Sequence, residues 1–119
     1  MTIKLLLLKS GEDVIADVQE MVVEEKVVGY ILQYPARAKL VGDTIIRDGK
    51  ETTPFKLQLT PWMPLSKDNK VPLVADWVVT ITEPVDQLTE MYVKGVEDYE
   101  IGKSTDPDSG VGEGDSNSD

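Results

Sequence analysis

Leu5 to Leu8 are four consecutive leucines, and they leave no polar face for water. A strand that carries them must be covered on both sides, as in a closed barrel or a sheet under a helix. Ser10-Gly11 follows, and glycine tolerates the positive φ that a tight hairpin needs. The stretch from Ile3 to Val23 therefore reads as a hairpin around which the rest is organised. In its second strand Val14, Ala16 and Val18 share one face, whereas Met21 and Val23 take the opposite parity. A bulge or sharp bend near Gln19 reconciles the two sets, and strands bent in this way are typical of small barrels.

The following segments extend the same pattern. Glu24-Glu25-Lys26 is a polar turn, and Val27 to Tyr34 is a third strand in which Gly29 marks a second bend or a close backbone approach. Pro35 cannot donate to a ladder and belongs at an edge or bulge. From Ala36 the chain alternates, with Ala36, Ala38 and Leu40 on one face and Arg37 and Lys39 side by side on a solvent-facing stripe. Gly42-Asp43 punctuates the chain, and Asp48-Gly49 is a hairpin-turn pair between Ile45-Ile46 and a strand that begins near Thr53. There Phe55, Leu57 and Leu59 are expected to face inward, and Pro61 and Pro64 end the strand around Trp62-Met63. After the polar loop from Ser66 to Lys70, one last strand from Leu73 to Thr82 sets Leu73, Ala75, Trp77, Val79 and Ile81 on the core face. About five bent strands with turns every ten residues or so predict a small antiparallel barrel.

Helix signals then come together. Thr82 or Glu83 can cap, Pro84 suits the first turn, and Val85, Leu88, Met91, Tyr92, Val96 and Tyr99 recur at helical spacing. From Gly102 the chain has almost no apolar residue and is expected to be disordered. The predicted divisions are a barrel over 1–83, a helix over 84–101 and an acidic tail over 102–119.

A chain of 119 residues has the length of one domain with a modest core. It has no cysteine, which fits a reducing compartment, and its leucine run is too short for a signal peptide or a membrane span. The expectation is a soluble, cytoplasmic protein. The net charge of -10 is unevenly placed: residues 97–119 carry -7, whereas residues 26–70 carry +4. A basic middle points to a polyanion partner, and ordinary charge scatter on a solvated surface is the plain alternative.

Enzyme motifs are not found. The chain has no histidine, no glycine-rich loop before a helix and no Gly-Lys-Ser/Thr phosphate cradle. The paired acids Glu12-Asp13 and Glu24-Glu25 fall on turns and read as solvated charges, so no catalytic residue, metal or cofactor is assigned. Binding remains. Exposed aromatics beside bases stack nucleobases while Lys and Arg neutralise phosphate, and Tyr30 and Tyr34 precede Arg37 and Lys39 on one strand. Lys67, Asn69 and Lys70 lie in the loop before the last strand. Both tyrosines could instead pack in the barrel or at a subunit contact. Trp77 belongs to the inward set, and Trp62, between prolines, could anchor an interface.

Leu8-Lys9-Ser10-Gly11, followed by Val14 and Ala16-Asp17-Val18, resembles the first signature of Sm/LSm proteins. That signature is an apolar strand, a Lys-Asn-Gly-type turn and a small residue five positions after the turn glycine, where this chain has Ala16. The resemblance spans about residues 2–82, with its residue-level likeness in the hairpin, and is more particularly to the Sm-like proteins of marine cyanophages, which end in a helix. It implies an SH3-like, Sm-type barrel that joins edge to edge into a homo-oligomeric ring and binds RNA or single-stranded DNA, in a host-cell cytoplasm if phage-encoded. Lys26 falls where the family places a base-contacting asparagine, while its Arg-Gly motif has no match near Lys67 to Lys70. The residues expected to bind nucleic acid are Lys26, Lys67 and Lys70 on the pore side, with Tyr30, Tyr34, Arg37 and Lys39 on the strand face. The acidic tail would compete with nucleic acid for the basic surface. The alternative is a phage protein-interaction or assembly module, and scatter of Lys26, Arg37, Lys39 and Lys67 over unrelated faces would favour it.

Overall fold

The computed structural model describes residues 1–42, 45–52 and 55–104. Its strands are β1 (Ile3–Leu8), β2 (Asp13–Val23), β3 (Lys26–Gly42), β4 (Ile45–Arg47), β5 (Lys50–Thr52), β6 (Phe55–Pro61), β7 (Lys70–Val74) and β8 (Val78–Thr82). A 3-10 turn over Ala75–Trp77 separates β7 from β8, and helix α1 covers Asp86–Ser104. The main sheet is antiparallel in the order β6-β3-β2-β1-β8, with β7 also paired to β3, and β4-β5 form a separate ladder.

The leucine hairpin forms as the sequence predicts. Gly11 has φ +88° in its turn, and Leu6 pairs with Val14 on one side and Ile81 on the other. Leu6, Leu8, Val14, Ala16, Leu32 and Leu73 make the buried cluster, with Val18, Tyr30, Trp62, Val78 and Ile81 packed against it. We call that side of the sheet the inner face. Leu5 and Leu7 turn to the other side, where they are half-buried, so the run is covered on both faces.

The expected bulge divides into two. Register shifts fall between Ile15 and Asp17 and between Met21 and Val22, flanking the predicted bend near Gln19. At the first, Ile15 opposes Ala36 and Asp17 opposes Gln33, so Tyr34 and Pro35 together face Ala16. Tyr34 takes φ +49° there, and the missing N–H of Pro35 costs no ladder bond. At the second, Gly29 meets the close backbone approach that its sequence position implied: a Cβ there would lie 2.7 Å from the Leu73 carbonyl oxygen and 2.7 Å from Met21 Cε. Gly29→Ala should therefore lower stability by about 1–3 kcal/mol, read as a shift in urea midpoint at unchanged slope.

The sheet is not closed into the predicted barrel. Among the described residues β8 pairs only with β1 and β6 only with β3, which leaves the two end strands of the sheet without a ladder between them. The last predicted strand is broken at Ala75–Trp77: β7 pairs with β3 and β8 with β1. Trp77, placed in the core by alternation, sits in that turn and is 43% exposed. Phe55, Leu57 and Leu59 share a face but do not face inward as predicted: Leu59 pairs with Ala38 and Ala38 with Asp13, on the side of the sheet opposite core residue Val14, and Phe55 is 66% exposed there. Trp62, read as an interface anchor, is half-buried against the core, and its indole N–H donates to Glu12 Oε1 at 3.3 Å.

The chain divides into two compact units, Met1–Thr89 and Glu90–Asp119. In the first, Lys4 forms an ion pair with Glu83 at the end of β8. In the second, the helix continues with Tyr92 and Val96 buried, while Tyr99 of the predicted stripe is exposed. The helix persists through Gly102 to Ser104, beyond its predicted end at residue 101. Asp43, Thr53 and the tail from residue 105 lie outside the described residues.

Candidate nucleic-acid interface

The bend in β3 borders an open groove. Gln33 forms a rung with Lys70, and the next residue, Tyr34, donates its backbone N–H to the Asn69 carbonyl at 2.7 Å. That bond ties the bulge to the loop between β6 and β7. The loop is itself braced, since the Ser66 hydroxyl donates to the Asp68 carbonyl at 2.9 Å and the Ser66 N–H to the Met63 carbonyl at 3.0 Å. Between bulge and loop lies an open groove of about 410 Å³ lined by Gln33, Tyr34, Asp68, Asn69 and Lys70.

Four of the five lining groups suit a nucleotide. A tyrosine ring offers a stacking face, primary amides carry both donors and acceptors, and a lysine holds phosphate as a point charge. Asp68 opposes a phosphate and leaves the groove mixed in charge. The left-handed backbone of Tyr34 costs about 1–2 kcal/mol, a strain that residues over-determined by their surroundings sustain at binding sites.

Among the sequence candidates, Tyr34 and Lys70 meet in this groove. The others do not join them. Tyr30 pairs with Leu73 and packs against the core, the packing role that the sequence left open. Lys26 opens β3 opposite Val23, seven residues or about 23 Å of strand from the Gln33 rung, so the protomer does not place it beside Lys70. Lys67 is exposed in the bend before β7 and does not line the groove. Arg37 and Lys39 form the expected exposed stripe, but Val14 opposes Arg37 whereas Asp17 opposes Gln33, which puts the stripe and the Gln33–Lys70 rung on opposite faces of the sheet. Arg37 also lies 3.9 Å from Glu12, whose carboxylate accepts from Ser10 as well. Gln33 and Asp68 are absent from the sequence candidates, and Asn69 was singled out only with its loop: the bulge alone brings strand and loop together.

The class that these features define is a small β-rich domain, mostly antiparallel, with one C-terminal helix. Among its described residues no three acids, histidines or cysteines converge as a metal site, and no helix is long and apolar enough to cross a membrane. No protein-family model and no curated protein matches this sequence.

Proposed function

We propose that the protein is a non-enzymatic, ring-forming Sm-like protein that binds RNA or single-stranded DNA and supports its processing. The observation that carries this reading is the groove in which Tyr34, Asn69, Gln33 and Lys70 combine an aromatic face, two amides and a cation at one backbone bend. Ring formation is supported by the two end strands: among the described residues β6 and β8 each have one side without a partner strand, and pairing β6 of one copy with β8 of the next would close the sheet across subunits. The barrel then belongs to the assembly and not to the single chain.

Fluorescence anisotropy of labelled single-stranded RNA and DNA tests the reading. Wild-type protein should bind at low salt, and Tyr34→Ala should cost about 1–3 kcal/mol, roughly 5- to 150-fold in affinity, while Tyr34→Phe keeps most of it. Absence of binding at low salt sinks it. A second reading, an assembly module of a phage, is favoured by one observation: Lys26, Lys67 and the Arg37–Lys39 stripe occupy three separate places on the protomer. Protein that forms rings yet ignores both oligomers would support that module.

A further inference from the structure

The groove at the β3 bend holds one group that repels phosphate. Asp68 lines it together with Lys70, two residues further on, and both are exposed. None of the ion pairs among the described residues includes either of them, so a carboxylate and an ammonium share one groove without pairing. The three residues from Asp68 to Lys70 are braced in turn. The Asp68 carbonyl accepts from the Ser66 hydroxyl at 2.9 Å, the Asn69 carbonyl accepts from the Tyr34 N–H at 2.7 Å, and Lys70 forms a rung with Gln33. An acid and a base thus stand on one fixed piece of backbone, in a groove that Tyr34 also lines.

Beside a nucleotide the two charges act in opposite directions. Lys70 attracts phosphate, whereas an ionised carboxylate repels it and weakens binding unless it accepts a hydrogen bond from the same ligand. Such a carboxylate is an acceptor only, so the partner that it needs is a donor. A nucleotide carries donors on its base edge and, in RNA alone, on the ribose 2′-hydroxyl. The spacing favours the sugar. Asp68 and Lys70 flank a single residue, so the group that meets Asp68 lies next to the phosphate that Lys70 holds. In a nucleotide chain the group next to phosphate is the ribose, and the base lies beyond it.

We propose that Asp68 selects RNA over DNA in this groove by accepting a hydrogen bond from a ribose 2′-hydroxyl. This rests on the nucleic-acid reading above and decides which of its two ligands the groove takes. A site built to bond a hydroxyl rejects the analogue that lacks it, because its own polar group is then left without a partner. Deoxyribose leaves the Asp68 carboxylate in that state, near phosphate and with nothing donated to it. The same carboxylate that opposes DNA therefore holds RNA.

The test is fluorescence anisotropy of the full chain with three labelled single strands of one base sequence, with uracil in place of thymine throughout. They are an RNA, its 2′-deoxy counterpart and its 2′-O-methyl counterpart, which keeps the ribose oxygen but cannot donate. Wild-type protein should bind the RNA about tenfold more tightly than either of the others. Asp68→Ala should weaken RNA binding and tighten binding of the deoxy strand, bringing the two within about twofold. Asp76→Ala removes an exposed acid that does not line the groove, and it should keep the wild-type ratio. Circular dichroism verifies that both variants fold. If Asp68→Ala tightens RNA and DNA alike, Asp68 only repels phosphate, and if it weakens both alike, Asp68 meets a base edge. Either result overturns the proposal and leaves the nucleic-acid reading standing, as does wild-type protein that binds the three strands equally. If the wild type binds none of them at low salt, both fall.

Discussion

Leu6→Ala should lower the unfolding free energy by about 2–5 kcal/mol, one of the two largest single effects expected in this chain. Leu6 is fully buried, and its strand is flanked on both sides, by β2 at Val14 and by β8 at Ile81. Truncation there leaves a cavity walled by three strands, whose ladders hold the backbone in place and limit collapse into it. The loss should appear as a lower urea midpoint with an unchanged slope. Leu65→Ala is the matched control: Leu65 is 100% exposed, and its removal should change stability by less than about 0.5 kcal/mol. Equal effects at the two positions would show that the leucine hairpin is not the centre of the core.

Raising the salt from about 50 to about 200 mM should weaken single-strand binding roughly 50- to 100-fold. The figure follows from Arg37, Lys39 and Lys56, which share one side of the β3-β6 ladder, together with Lys70 in the groove. Each phosphate neutralised on a single strand contributes about 0.7 to the slope, so four contacts give a slope of about -3. A chain whose net charge is -10 binds a polyanion only where its charge is locally reversed, and this makes the salt response diagnostic. A slope near zero would mean that binding, if found, rests on the groove at Tyr34 and not on phosphate contacts.

The groove and the cationic side of β3 differ in how far they could be read in advance. Arg37 and Lys39 alternate with Ala36 and Ala38, so their exposure was legible from period two alone. Their joining with Lys56 was not, because it depends on the register between β3 and β6. The groove was still less legible. Tyr34 and Asn69 are far apart in the chain, and they meet only because a bulge turns the Tyr34 N–H toward the Asn69 carbonyl.

Local rules determined the elements themselves. The leucine run, Ser10-Gly11, Asp48-Gly49 and the helical spacing after Pro84 each act through sterics or burial within a few residues. The tertiary structure alone decided whether the sheet closes. Alternation from Leu73 to Ile81 is the same for one strand as for two, and only the competition between β3 and β1 for hydrogen-bond partners breaks it at Ala75–Trp77. Period-two patterning reports which way a side chain points, but it carries no information about which neighbour the backbone will choose.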